Sequence, residues 1–495
     1  MAASVVLGVD IGTTSAKAVA FDAGARALGR GEAPYPLLEP EPGQAVQDPA
    51  VVVDAVLAAI RTAGEAARDN GARIEALCFS GAMHSLAGVD AGGRAITPLV
   101  TWGDMRATEQ AERLRAEHPE LHDRTGTPLH PMAPLPKLVW FAEREPATFA
   151  AAARWVGIKE LVVHRLAGTW AVDHSIASGT GLLNLETLDW DAEALALAGL
   201  DAGALSPLVP TTERLALGAD DLGLEAGTPL VVGAGDGPLA NLGVGAVHHG
   251  VAACSIGTSG ALRLMVERPA IDPRRSIFCY ALTPGRWTVG GAISNGGSVL
   301  HWAGEALAPD LGEHPEAQLL ELAGAVPAGS EGLLMLPYLL SERAPHWSSV
   351  ARGAYVGLTR RHGRGHLVRA AVEGVCLQLA LVLASMRDAG NAVREIRATG
   401  GFARSALWRQ MLADALGMPI GFPAGHQGSA FGAALLAMDA LGIVDGIERA
   451  ADLVGIDEVV EPDPGAAAVY AELLPTFASL YDALIPAFRA LESRP

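Results

Sequence analysis

Over its first 35 residues the chain alternates apolar runs with short, glycine-containing polar breaks. The stretch "SVVLGVDIGTTSAKAVAFDAGARALGRGEAPY" therefore predicts strand, tight turn, strand, turn, strand. Apolar residues at helical spacing predict a helix over 49–69, and "IEALCFSG" a short buried strand after it. In the second half, "HLVRAAVEGVCLQLALVLASMRDAG" has the length and composition of a buried helix. "IRATGGFARSALWRQMLADALGMPI" reads as strand, glycine turn and helix, and "QGSAFGAALLAMDALG" as a further helix. Strands joined by glycine turns and followed by helices predict an α/β protein with mixed sheets. The helices expected over 366–389 and 466–492 leave two uses open, a homodimer interface or packing within the chain.

The opening pattern returns. "SIGTSGALRLMV" at 255–266 has the layout of "DIGTTSAKAVAF" at 10–21, displaced by 245 residues. Each copy follows a buried-looking strand and opens a stretch of domain size. A duplicated protein is expected, because solenoid repeats are far shorter. At 495 residues the chain is also too long for one core. Two domains follow, 1–246 and 247–495, and with no low-complexity linker between them they are expected to face each other across a cleft.

Composition narrows the partners. A formal charge of −19 with no long basic run disfavours nucleic acid and anionic membranes. No stretch reads as a membrane span, and the N-terminus lacks the basic and apolar regions of a signal peptide. Cys78, Cys254, Cys279 and Cys376 are scattered without metal-binding spacing, which suits buried thiols in a cytoplasmic protein. Only Lys17, Lys137 and Lys159 among 36 basic residues are lysine. In an arginine-biased chain these mark positions where a compact ammonium suits better than a guanidinium fork, or chance survivors.

The repeated turns carry the candidate chemistry. Gly-Thr-Thr and Gly-Thr-Ser offer backbone N–H groups and hydroxyls without bulk, an arrangement suited to phosphate oxygens. Asp10 precedes the first turn; buried and unpaired it would be costly, and a bound Mg²⁺ would remove the cost. Lys17 would reach a phosphate as a point charge. The second copy has Ser255 where the first has Asp10, so one metal carboxylate would serve two phosphate-gripping turns. The other reading of the first copy alone is a glycine-rich hairpin with a solvated acid.

Taken together, these segments resemble the FGGY carbohydrate kinases, a family within the larger actin-like, sugar-kinase and chaperone ATPase fold. "GVDIGTTSAKA" and "SIGTSGAL" look like its two phosphate motifs, and "GAYVGLTRRHGRGHLVRAAVE" like one family signature. "MAPLPKLVWFAER" looks like another, except that Arg144 replaces the usual amide, acid or histidine. "ATGGFARSALWRQMLADALG" resembles the adenosine segment, with Ser405 where some members have asparagine. The resemblance implies two ribonuclease-H-like domains facing an ATP- and sugar-binding cleft. It further implies that Asp236 in "VVGAGDGPLANLG" is the catalytic base, where position alone reads as a helix N-cap. Thr13, Thr14 and Lys17 would contact ATP phosphates, Asp10 would hold Mg²⁺ through water, and Gly257 and Thr258 would grip the γ-phosphate. Gly296, Gly297, Gly400 and Gly401 would shape the nucleotide pocket, with Ser405 beside it.

Met83-His84 and the "TWGDMRA" element (Trp102, Asp104, Arg106) would lie on the sugar side. Three stretches look specifically like the gluconate kinases of the family: "RTGTPLHPMAPLPKLVWF", "GIKELVVHRL" and "IFCYALT". The expected reaction is ATP-dependent phosphorylation of D-gluconate at its 6-hydroxyl. A sugar-acid carboxylate calls for a cation, and Lys159 is the expected contact, with His130 and Arg106 as rivals. A kinase of another sugar such as xylulose is the nearest alternative, and a non-catalytic sugar sensor on the same fold the more distant one.

Overall fold

The alternation at the start of the chain folds as a three-stranded antiparallel meander, Ala3–Ile11, Ser15–Phe21 and Ala27–Pro34. In the computed structural model, which describes residues 3–218, 222–312, 314–423 and 428–492, the first of these strands also pairs in parallel with Ala72–Gly81. That strand in turn pairs in parallel with Pro229–Gly235, and Arg214–Ala216 closes the far edge antiparallel. The helix Pro49–Asp69 makes the crossover; Asp48 caps its N-terminus and Val52, Val56, Ile60 and Ala63 face the sheet.

The second half repeats this plan. Val251–Ile256, Gly260–Val266 and Arg286–Ile293 form the meander, and Glu395–Thr399 and Ile420–Pro423 add in parallel. Ile456–Val460 closes one edge and Phe278–Thr283 lies outside the meander on the other. Equal strand order in the two sheets accounts for the internal echo. The echo has a slip in it: Ile11 pairs with Ala16, but Ile256 pairs with Gly260, so the second turn is one residue tighter.

Arg364–Asp388 is long and apolar enough to cross a membrane, yet its Val368–Met386 stretch is mostly buried as the core helix of the second lobe. Pro464–Glu492 lays Tyr470, Phe477 and Phe488 in a cluster with Leu334, Leu336 and Leu377 of that same lobe.

One helix does not stay with its half. Gly428–Ala440 packs on the first sheet, where Phe431 meets Phe21 edge-on with ring centroids 5.2 Å apart. Its approach is close enough that a side chain at Gly8 would overlap the Ala430 carbonyl.

Candidate active site

The two repeated turns meet across a cleft of about 540 Å³. Thr13, Thr14, Met83, His84 and Trp102 line it from one side, and Gly257, Thr258, Arg263, Tyr280 and Arg343 from the other. Asp236 lies between them.

The first turn is closed by the Gly12 N–H donating to the Ser15 carbonyl at 3.1 Å. Its acceptors are taken. Tyr35 Oη donates to the Gly12 carbonyl at 2.6 Å, Gln47 Nε2 to the Thr13 carbonyl at 2.5 Å, and Trp102 Nε1 to Thr13 Oγ1 at 3.0 Å. Thr13 and Thr14 N–H groups have no partner among the described residues, so what this turn offers a ligand is donors. The second turn is built likewise. Its Gly257 and Thr258 carbonyls accept from the Gly297 and Gly296 N–H groups at 2.7 and 3.0 Å. The Gly257 N–H is turned inward to the Ser259 carbonyl at 2.8 Å, which leaves the Thr258 end to face the cleft.

The glycine pairs expected to shape a nucleotide pocket therefore support this turn from behind. A Cβ on Gly296 would come within 2.6 Å of the Ser259 carbonyl, and one on Gly400, whose φ is +119°, would overlap the Ile256 carbonyl. Gly401 opens the short 3-10 turn that follows. Ser405 caps the helix Ala406–Leu416 by accepting from the Trp408 N–H at 3.2 Å.

Asp10 is the last residue but one of the first strand. Ser80 Oγ donates to it at 2.7 Å, the nearby Ser429 hydroxyl also favours its charge, and burial outweighs both to hold its carboxyl above the ordinary range. Asp236 begins the helix Asp236–Gly243; it does not cap it, since its Oδ1 accepts from its neighbour Gly237 N–H at 2.8 Å and from Met83 N–H at 3.4 Å. Burial, and then repulsion from Asp10, push it up to about 6, against the pull of Arg263. Two carboxylates raised by burial, one repelling the other, fit a divalent cation, which would offset both costs. Lys17 stands opposite Asp10 in the hairpin register, but its ammonium is half-exposed and pairs with Glu32 at 3.5 Å.

On the sugar side, His84 has φ +67° and its Nδ1 bonds the Gly179 carbonyl at 2.7 Å. Burial pushes its pKa down to about 3, so the ring is neutral; Nδ1 carries the proton and Nε2 accepts from Tyr280 Oη at 3.5 Å. Lys137 pins this loop from beneath, its Nζ donating to the carbonyls of His84, Thr101 and Met132 at 3.0, 2.7 and 2.7 Å.

Several expected sugar contacts lie elsewhere. Lys159 is 2% exposed and ion-paired with fully buried Asp173, behind the strand Ala72–Gly81. Contrary to the expected substrate contact, it does not line the cleft, because its anion is a protein carboxylate. Asp104 is also fully buried, accepting from Ala45 N–H at 2.8 Å and from both arms of Arg106 at 2.8 Å. Arg106, bound there, stacks over Trp140 at 5.1 Å. The His130 ring is buried edge-on to Trp347, and its Nδ1 accepts from the Met132 N–H at 3.2 Å.

The cleft's own cations were missed. Arg343 lies over the Trp102 ring at 4.8 Å and donates to the Ile293 carbonyl at 2.8 Å. Arg263 interrupts the otherwise apolar strand "GALRLMV", and that interruption was its only signal.

Residues 5–243 match the N-terminal domain of the FGGY family of carbohydrate kinases and residues 252–441 its C-terminal domain. The chain is 40% identical to a gluconokinase of Bacillus subtilis (strain 168), over 96% of this chain and 95% of that protein. Among solved structures, a gluconate kinase from Lactobacillus acidophilus superposes with a TM-score of 0.92 at 34% identity, covering 97% of this chain and 98% of that one. A ligand-bound xylulose kinase from the same organism gives 0.93 at 34% identity, covering 98% and 99%. Two lobes of equal strand order, paired Gly-Thr turns across a cleft and a match over nearly the whole length lead to one statement: the chain belongs to the FGGY family of carbohydrate kinases and has its two-lobed sugar-kinase fold.

Proposed function

We propose that this sugar kinase transfers the γ-phosphoryl group of ATP to the 6-hydroxyl of D-gluconate, giving 6-phospho-D-gluconate and ADP. The observation that carries the reading is the meeting of Asp236 with both Gly-Thr turns in one cleft. Gluconate is favoured over a neutral sugar by the 40% identical gluconokinase and by the two arginines in the cleft lining.

In this reading Asp236 accepts the O6 proton as the O6–phosphorus bond forms and the bond to the ADP oxygen breaks. At about 6 its carboxylate is ionised at neutral pH yet more basic than an ordinary one. The free amides of Thr13 and Thr14, with Thr258 opposite, cradle the phosphates. Lys17 adds positive charge from the rim. Asp10, oriented by Ser80, would hold Mg²⁺, which would offset the negative charge of the transferring phosphoryl group. Tyr280 Oη, its proton directed at neutral His84, keeps a lone pair to accept from a sugar hydroxyl.

The test is ADP release by the purified protein with Mg-ATP, across D-gluconate, xylulose, ribulose, glycerol and no sugar. Turnover with gluconate far above the others is expected, with the product phosphorus resonance assigned to a 6-phosphate ester. Preference for xylulose would overturn the substrate and keep the kinase. Absence of turnover with every sugar would favour a sensor.

A further inference from the structure

The geometry points to Arg263 as the residue that reads the carboxylate of the substrate, an inference that rests on the gluconate reading above. Arg263 sits in the middle of the strand Gly260–Val266 and lines the cleft beside Asp236. Its cross-strand neighbours are Ala253 and Gly290, so small groups flank it on both sides. The guanidinium has room to extend over them.

Its lack of a partner is the second observation. Among the described residues no acceptor hydrogen-bonds the Arg263 guanidinium and no carboxylate lies within ion-pair distance of it. The other arginine of the cleft is held against the Trp102 face and gives one nitrogen to the Ile293 carbonyl, with its buried Nε left without a partner among the described residues. A guanidinium that lines the cleft without an anion is open to one, and a planar carboxylate meets its fork with two parallel hydrogen bonds. Asp236 is the protein anion whose field reaches it, but no Asp236 oxygen lies within ion-pair distance of it, and the two backbone N–H bonds that Asp236 accepts both fall on Oδ1. A sugar acid brings the missing charge, and a neutral polyol leaves Arg263 unpaired. Discrimination between them follows from that difference.

Arg263→Gln and Arg263→Lys test this in the intact protein, with the rise in melting temperature on adding Mg-ATP as the check of folding. Loss of a two-point charged contact predicts a KM for gluconate raised about 50-fold in Arg263→Gln, with kcat changed far less. Arg263→Lys, which keeps the charge without the fork, should fall between, and it carries the test if the glutamine variant does not fold. D-Glucitol, the same chain with CH₂OH in place of the carboxylate, serves as competitive inhibitor. Gluconate should bind wild type much more tightly than glucitol does, and the gap should close in Arg263→Gln.

An unchanged KM, a loss confined to kcat in both variants, or a gap that persists would overturn the inference. A loss confined to kcat would assign Arg263 to Asp236 or to the transferring phosphoryl group. Wild type active on gluconate with an indifferent Arg263→Gln defeats this inference alone. Wild type inactive on gluconate defeats the proposed function first, and this inference with it.

Discussion

Asp236 and Lys159 are both charges taken out of water, and their neighbours decide what each can do. Asp236 faces a cleft, repelled by Asp10 and drawn by Arg263. Replacing it with Asn keeps the shape and removes the proton acceptor. Turnover should fall by about a thousandfold or more, with Mg-ATP still raising the melting temperature. Lys159 faces Asp173, which also caps the short helix His174–Ser178 through the Ser175 and Ile176 N–H groups. Lys159→Met would leave that carboxylate buried without its cation, a loss of about 3–5 kcal/mol in denaturant unfolding. A change confined to KM for gluconate would instead return Lys159 to the substrate. The rarity of lysine singled out position 159, but rarity says nothing about which anion it meets. Arg263 had the opposite problem. One arginine among many carries no signal by composition, and only its place in an apolar strand marks it.

At the scale of elements, the glycines of the two turns divide by what surrounds them. No atom lies within 4 Å of a Cβ placed on Gly257, whereas one on Gly296 meets the Ser259 carbonyl at 2.6 Å. Gly257→Ala should therefore leave unfolding within about 1 kcal/mol of wild type. Its methyl group would enter the cleft, so KM for ATP should rise about tenfold. Equal loss of stability in Gly257→Ala and Gly296→Ala would remove the distinction. The turns themselves were legible in the sequence, because glycine followed by small hydroxyl residues between apolar strands has few other readings. The register slip in the second turn was not, since one residue more or less in a hairpin changes pairing without changing the pattern. Nor was the support of one glycine-containing turn by others distant in sequence, which is a matter of backbone approach and leaves no periodicity. Gly257, Gly296 and Gly400 look alike in sequence and stand in three different positions around one loop.

For the whole molecule, a buried carboxylate sets a pH dependence. Glu160 accepts from the Gly157 N–H at 2.6 Å, and burial pushes it up to about 7. The folded chain thus binds this proton more tightly than the unfolded chain, whose value is 4.5. The stability so gained is complete below 4.5 and lost as pH rises through about 7. Glu160→Gln keeps the acceptor oxygen and cannot ionise, so its apparent melting temperature should gain on wild type from pH 5 to pH 8. The full effect is about 3 kcal/mol at most. A constant difference across that range would show that Glu160 does not titrate on unfolding. Glu342, raised by burial to about 7 as well, adds a slope of the same sign that the variant retains. The two-lobed plan was legible from a twelve-residue echo and the chain length. The crossing of Gly428–Ala440 onto the first sheet was not, because a helix apolar on nearly every face carries no mark of which surface it covers.

That crossing bears on how such chains can be recombined. A crossover between two related genes near residue 246 would take Gly8 from one parent and Ala430 from the other. It would also separate Asp10 from the parental Ser429, whose hydroxyl lies near enough to favour its charge. Hybrids made at the apparent midpoint should express poorly wherever the parents differ at this contact, and moving codons 428–440 together with the first half should rescue them. The natural unit of exchange is a sheet with its borrowed helix.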